Sequence, residues 1–180
     1  MEYIKDSLSS AVITLGGQGK RISNITRDIP KPLWEINGVS TIERITHLLN
    51  QQGINKFIWL VGYKPEFFFN AANELKKKFA IEIIINLEES PLGEAGGLLR
   101  VYKYLEENFL FINGDIVFDI DLKRFFNFHI YNKCDISFIT HLTSHPEDSD
   151  CIAETQTSSI YKYKLKKEKV SNTIFYLGNA

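Results

Sequence analysis

The chain is poor in cysteine: only Cys134 and Cys151 occur in 180 residues. They show neither CxxC spacing nor a neighbouring histidine ligand pattern. Two such cysteines fit a reducing cytosol better than a disulfide scaffold. Neither sign of charge dominates, with 21 Lys and Arg against 22 Asp and Glu. A dedicated nucleic-acid binder carries a basic excess, so nucleic acid is not an expected partner. No apolar run approaches the length of a membrane span, so no membrane association is expected. Residues 1–10 carry charges and no long apolar stretch, so no secretory leader is expected and the chain is placed in the cytoplasm. Internal repeats, low-complexity tracts and Pro/Gly/Ser-rich linkers are all lacking. What remains is ordinary globular composition, 44% hydrophobic and 24% charged, with 13 Phe and eight Tyr to build a core. The length predicts one domain over 1–180.

The first two thirds alternate strand-like and helix-like patterns. Residues 10–15 form a short apolar run stopped by Gly16-Gly17, as a buried strand would be. Over 41–52, Ile42, Ile45, Leu48 and Leu49 fall on one helical face. Ser40 and Glu43 form a capping box before them, and Gly53 stands at the C-cap. Residues 57–61 read as a strand. Pro65 opens a helix to about 79 that ends in Lys76-Lys77-Lys78. A strand over 81–85, a helix over 98–105 and a strand over 109–113 follow. This order predicts a Rossmann-like three-layer α/β/α fold with a mostly parallel central sheet. The tail reads as strands over 136–142, 160–165 and 173–177, an antiparallel C-terminal extension.

Ligands of such sheets bind beyond the carboxyl ends of the strands. Three polar, glycine-containing segments fall there: 16–21, 62–64 and 113–115. In Leu15-Gly16-Gly17-Gln18-Gly19-Lys20-Arg21 the glycines let backbone N–H groups approach phosphate oxygens without a Cβ in the way. Ile22 stands where a dinucleotide fingerprint needs glycine, and Arg21 where a P-loop needs Ser or Thr. A tight turn with solvated basic residues explains the loop equally well. Downstream, Pro30 and Pro32 hold Lys31 on a stiff, extended backbone. That suits a cation clamping a polyphosphate, or a surface lysine in a proline turn. Asp115 follows an apolar strand at its carboxyl end. Its hard oxygens suit Mg²⁺, though capping the next turn is the plainer role. Asp121 suits the N-cap of the segment that follows it.

The loop, Pro30-Lys31-Pro32-Leu33, Gly38, Ile42-Glu43, Val61-Gly62-Tyr63, Glu88-Glu89-Ser90-Pro91-Leu92-Gly93 and Asn113-Gly114-Asp115 together resemble the sugar-1-phosphate nucleotidyltransferase family. The branch most similar in feel is the bacterial heptose- and mannose-1-phosphate guanylyltransferases. The resemblance implies an enzyme joining a nucleoside triphosphate to a sugar 1-phosphate and releasing pyrophosphate, with Mg²⁺ as cofactor. It would serve nucleotide-sugar biosynthesis, such as lipopolysaccharide or capsule precursors. Carried over residue by residue, Leu15, Gly16, Gly17, Gly19, Glu88, Pro91 and Gly93 would bind nucleotide. Arg21 and Lys31 would act on the phosphates, Asp115 on the metal, and Asn113, Glu154 and Asn179 on the sugar substrate. The nucleotide half would cover about 1–120 and the sugar-phosphate part about 121–180. Glu88 only accepts hydrogen bonds, so it suits a base presenting N–H donors, guanine before uracil or thymine. A solvated Glu88-Glu89 pair is the alternative.

The pattern departs from the family at Ala153, which occupies a glutamate position with Glu154 one step late, and in the missing Glu-Lys-Pro stretch. The family continues beyond Ala180, so a C-terminally incomplete domain is expected, with a homo-oligomer or fusion to a further segment possible. A non-catalytic nucleotide or nucleotide-sugar binder, and a phosphocholine cytidylyltransferase-like enzyme, stand as the rival readings.

Overall fold

A computed structural model describes residues 7–17, 29–90, 93–142, 151–154, 160–164 and 177–179. The chain divides into two compact units, Met1–Phe126 and Asn127–Ala180.

The first unit is built on a four-stranded parallel sheet. Its strands are β1 (Ser10–Thr14), β4 (Lys56–Val61), β5 (Glu82–Leu87) and β6 (Leu110–Asn113), in the order β5-β4-β1-β6. Helices α1 (Thr41–Gln51), α2 (Pro65–Phe79) and α3 (Gly93–Val101) form the connections. Alternation along the strands divides the core between two faces. Ala11, Ile13, Phe57, Trp59 and Val61 pack with Ile42, Ile45 and Leu49 of α1 and Phe68, Ala72 and Leu75 of α2. Val12, Ile58 and Leu60 pack with Val101 and Leu98 of α3 on the other face. This is the three-layer α/β/α arrangement that the element order predicts.

Local signals account for most boundaries. Ser40 caps α1, its Oγ accepting from Glu43 N–H at 3.2 Å. The Glu43 carboxylate instead accepts from Lys78 Nζ of α2 at 2.6 Å, so the expected reciprocal half of the capping box serves as a link between helices. Ser40→Ala is expected to cost about 1 kcal/mol, seen as a lower thermal midpoint. Gly53 has φ +100°, the left-handed geometry a helix C-cap requires. Asp121 caps α4 (Leu122–Tyr131) by accepting from Arg124 N–H at 2.9 Å, as expected.

Three readings need correction. The helix expected over 98–105 is α3, which starts at Gly93 and passes into a 3₁₀ turn at Tyr102–Tyr104. Glycines at its start hide it from periodicity, because glycine is a poor helix former. The strand expected over 81–85 runs to Leu87, so Glu88 sits directly at its end. A hairpin went unrecognised: β2 (Glu35–Ile36) and β3 (Val39–Ser40) flank Asn37-Gly38, both with positive φ, as a type I′ turn needs.

In the second unit, β7 (Thr140–Leu142), β8 (Cys151–Glu154), β9 (Ile160–Lys164) and β10 (Leu177–Asn179) pair antiparallel in the order β7-β10-β8-β9. The antiparallel C-terminal part is thus a four-stranded sheet of its own. Its first strand is shorter than the run over 136–142 suggests. Residues 173–176 of the last predicted strand lie outside the described residues, and β10 carries on from Leu177.

Candidate active site

The carboxyl ends of β1, β4, β5 and β6 lie side by side, because the strands are parallel and in register. Each end carries a residue or loop that the sequence singles out. After β1 come Leu15, Gly16 and Gly17. Leu15 is buried at 2% exposure, and its N–H donates to Leu60 O at 2.8 Å. Its N–H is therefore committed to the neighbouring strand, which leaves Gly16 and Gly17 to offer backbone donors. Gly17 is exposed, and a Cβ built on it meets nothing within 4 Å. Gly17→Val is therefore expected to leave the thermal midpoint nearly unchanged; if nucleotide lies over this turn, as the sequence suggests, the same change should weaken its binding by about tenfold in calorimetry.

Glu88 follows β5, tied back by its N–H to Val61 O at 2.8 Å. Its carboxylate lies among three glycines of three elements. A Cβ on Gly16 would stand 3.3 Å from Oε2, one on Gly97 only 2.6 Å from Oε1, and one on Gly62 3.8 Å from the Glu88 Cβ. Absent side chains let a half-buried carboxylate sit between the glycine loop, the end of β4 and helix α3. Glu88 is therefore half-buried against neighbouring backbone, whereas Glu89 beside it is exposed, so the two do not form one solvated pair.

After β6, Asn113-Gly114-Asp115 turns across the end of β1. Gly114 N–H donates to Thr14 O at 3.0 Å. A Cβ there would press on Leu15 and stand 2.8 Å from Thr14 O, so the turn needs glycine to come this close. Asp115 Oδ2 accepts from Lys31 Nζ at 2.8 Å across 84 residues of sequence. Lys31 is not on the extended backbone expected of it: it opens a 3₁₀ turn, Lys31–Leu33, with Pro32 buried. The two side chains are 38% and 46% exposed, so this is a solvent-facing pair of little net strength. A stiff cation and a hard carboxylate thus share one point at the ligand edge.

The structure therefore brings Lys31 to Asp115, and Gly16 to Glu88. Gly93 opens α3, a short loop beyond Glu88. Asn113 ends β6 and bonds Thr14, a residue the sequence reading passed over. Its signal was a lone hydroxyl at the end of the apolar run Ala11-Val12-Ile13. Gly19, Arg21 and Pro91 lie outside the described residues. Glu154 and Asn179 end β8 and β10 in the second unit, where the β8–β9 ladder shifts register between Ala153 and Glu154.

The carboxyl edge of this parallel α/β sheet, where ligands of such sheets bind, thus carries a glycine turn, a lysine–aspartate pair and a half-buried glutamate. The chain belongs to the nucleotidyl transferase family, whose family model matches residues 10–159. It is 35% identical over 128 residues to the D-glycero-alpha-D-manno-heptose 1-phosphate guanylyltransferase of Aneurinibacillus thermoaerophilus, covering 71% of this chain and 55% of that protein. It is 37% identical over 115 residues to the protein of the same name from Campylobacter jejuni, covering 63% and 51%. In fold it is similar to HddC from Yersinia pseudotuberculosis, solved with GMP-PN, at a TM-score of 0.72 and 24% identity over 95% of this chain and 72% of that one. The chain spans about half the length of the curated relatives it matches.

Proposed function

We propose that this domain transfers a nucleoside monophosphate from a nucleoside triphosphate to a sugar 1-phosphate. GTP is the favoured donor, and heptose or mannose 1-phosphate the favoured acceptor. The observation that carries the reading is the meeting of Lys31 and Asp115 beside the glycine turn. The two guanylyltransferase relatives support the choice of substrates.

In the proposed reaction an oxygen of the sugar phosphate forms a bond to the α-phosphorus. The bond from that phosphorus to the bridging oxygen of the β-phosphate breaks, and pyrophosphate leaves with the electron pair. Two anions must meet, so charge neutralisation and positioning carry the catalysis. Gly16 and Gly17 offer backbone N–H groups to the triphosphate. Lys31 releases Asp115 and bridges the attacking phosphate and the α-phosphate. Arg21 is assigned to the α- and β-phosphates and the leaving pyrophosphate. Glu88 accepts from the base, and the N1–H and N2–H₂ of guanine give its carboxylate two donors.

The donor set at this edge fits Mg²⁺ in one particular way. Among the described residues no group of three or more His, Cys, Asp or Glu gathers around a point. At the turn after β6 Asp115 supplies a hard, partly exposed oxygen pair, one atom of which Lys31 already occupies. One carboxylate completed by substrate phosphates and water is a usual arrangement for this ion. Asp115 would hold it, and the bound ion would neutralise charge on the triphosphate as the pyrophosphate leaves.

A screen of pyrophosphate release, pairing each nucleoside triphosphate with heptose, mannose and other sugar 1-phosphates, tests the proposal. Release is expected with GTP and a heptose or mannose 1-phosphate. Nucleotide binding without release in any pairing would leave a nucleotide-binding module instead.

A further inference from the structure

We propose that Thr14 is a positioning residue of this site: its hydroxyl orients the Asn113 amide so that Nδ2 donates to an oxygen acceptor of the substrate, a phosphate or a sugar hydroxyl. The inference rests on the nucleotidyltransferase reading and adds a residue and a polarity to it.

Thr14 and Asn113 are the last residues of β1 and β6 and are direct register partners in the parallel ladder. Partners in register point to the same face, so the two side chains meet at the ligand edge of the sheet. Thr14 Oγ1 donates to Asn113 Oδ1 at 2.8 Å in a half-buried setting. An asparagine amide carries an acceptor at one end and two donors at the other. Engaging the acceptor end decides which end remains. Nδ2 makes no bond to another described residue, and Asn113 is only half-buried. The amide thus stands ready as a donor.

The surroundings hold it there. Gly114 N–H donates to the Thr14 carbonyl, and Leu15 N–H to that of Leu60, so the strand ends are laced together around the pair. Asp115, two residues on, shares the same turn. A donor at the end of the strand whose turn carries Asp115 suits an oxygen-rich anion or a hydroxyl. A ligand group that is itself only a donor would find no acceptor at Asn113.

A purely structural Thr–Asn link makes a different forecast, which separates the two roles. Thr14→Val keeps the shape and removes the hydroxyl, while Thr14→Ser keeps the hydroxyl. Asn113→Ala removes the amide, and the Thr14→Val/Asn113→Ala double variant closes a cycle. Each variant of the 180-residue chain would be titrated by calorimetry with GTP and Mg²⁺, and separately with mannose 1-phosphate.

Asn113→Ala is expected to weaken one of the two ligands about tenfold. The responding arm tells whether the acceptor belongs to the nucleotide or the sugar phosphate. Thr14→Val is expected to weaken the same ligand about three- to tenfold, and Thr14→Ser to bind as the parent does. The double variant should bind within about twofold of Asn113→Ala alone, because Thr14 acts only through the amide.

If Asn113→Ala weakens binding while Thr14→Val does not, or if the two effects simply add, the positioning role is overturned and the site reading survives. If Asn113→Ala changes neither arm, Asn113 is no substrate contact and the proposal fails. If the parent chain binds neither ligand, the nucleotidyltransferase reading fails with it.

Discussion

Lys31→Ala is expected to lower kcat by about 10²-fold or more, a loss of roughly 3 kcal/mol of transition-state stabilisation. The lysine stands at the carboxyl edge of the sheet, on a short turn stiffened by Pro30 and Pro32. In the free chain its ammonium rests on Asp115 at 2.8 Å. In the proposed reaction that charge is most needed when negative charge concentrates between two phosphates at the α-phosphorus. A cation that strengthens its contacts at that moment affects kcat rather than KM alone. The fold should be almost indifferent, because the exposed pair contributes about 0–1 kcal/mol. Steady-state kinetics with GTP and the best acceptor would check this. A small rise in KM with kcat unchanged would make Lys31 a surface charge and nothing more.

Asp115→Asn is expected to abolish the thermodynamic coupling between Mg²⁺ and nucleotide. The substitution keeps the shape of the side chain and removes its charge. A single protein carboxylate holds Mg²⁺ weakly until phosphates replace its waters, so metal alone should bind poorly. Nucleotide should raise the metal's affinity and metal the nucleotide's by the same factor, about 5- to 150-fold for coupling of ordinary size. In the free chain Lys31 already occupies Oδ2, which further disfavours metal without nucleotide. Calorimetric titration of GTP with and without Mg²⁺, in the parent and the variant, measures the factor directly. An unchanged factor in the variant would remove Asp115 from the metal site.

Much of this site is legible in the sequence because its parts are local. Gly16-Gly17 end an apolar run, two prolines bracket Lys31, and Asp115 follows a strand. The glycine turn and Asp115 fall at the carboxyl ends of strands, where parallel topology gathers them. The alternation of Ala11, Val12 and Ile13 assigns the two faces of β1 before any packing is known. The β2–β3 hairpin was also legible, since Asn37-Gly38 is a strong type I′ signal, but the residues around it are too few to form an obvious strand pattern. The start of α3 was hidden by Gly93, Gly96 and Gly97, whose value lies in the room Gly97 leaves for Glu88 rather than in helix propensity. Three facts lie beyond any local reading. Lys31 and Asp115 pair across 84 residues, Thr14 meets Asn113 across 99, and the Leu15 N–H is spent on Leu60. These depend on strand order and register, which place distant residues side by side.

The most direct measurement is a crystal structure of the chain with Mg²⁺ and a non-hydrolysable GTP analogue. The triphosphate is expected over the backbone of Gly16 and Gly17, and the guanine edge against Glu88. Lys31 Nζ should have left Asp115 for a phosphate oxygen, with Asp115 turned to the metal. A nucleotide bound at the opposite edge of the sheet, or one bound here with the Lys31–Asp115 pair intact and no metal on Asp115, would contradict this arrangement.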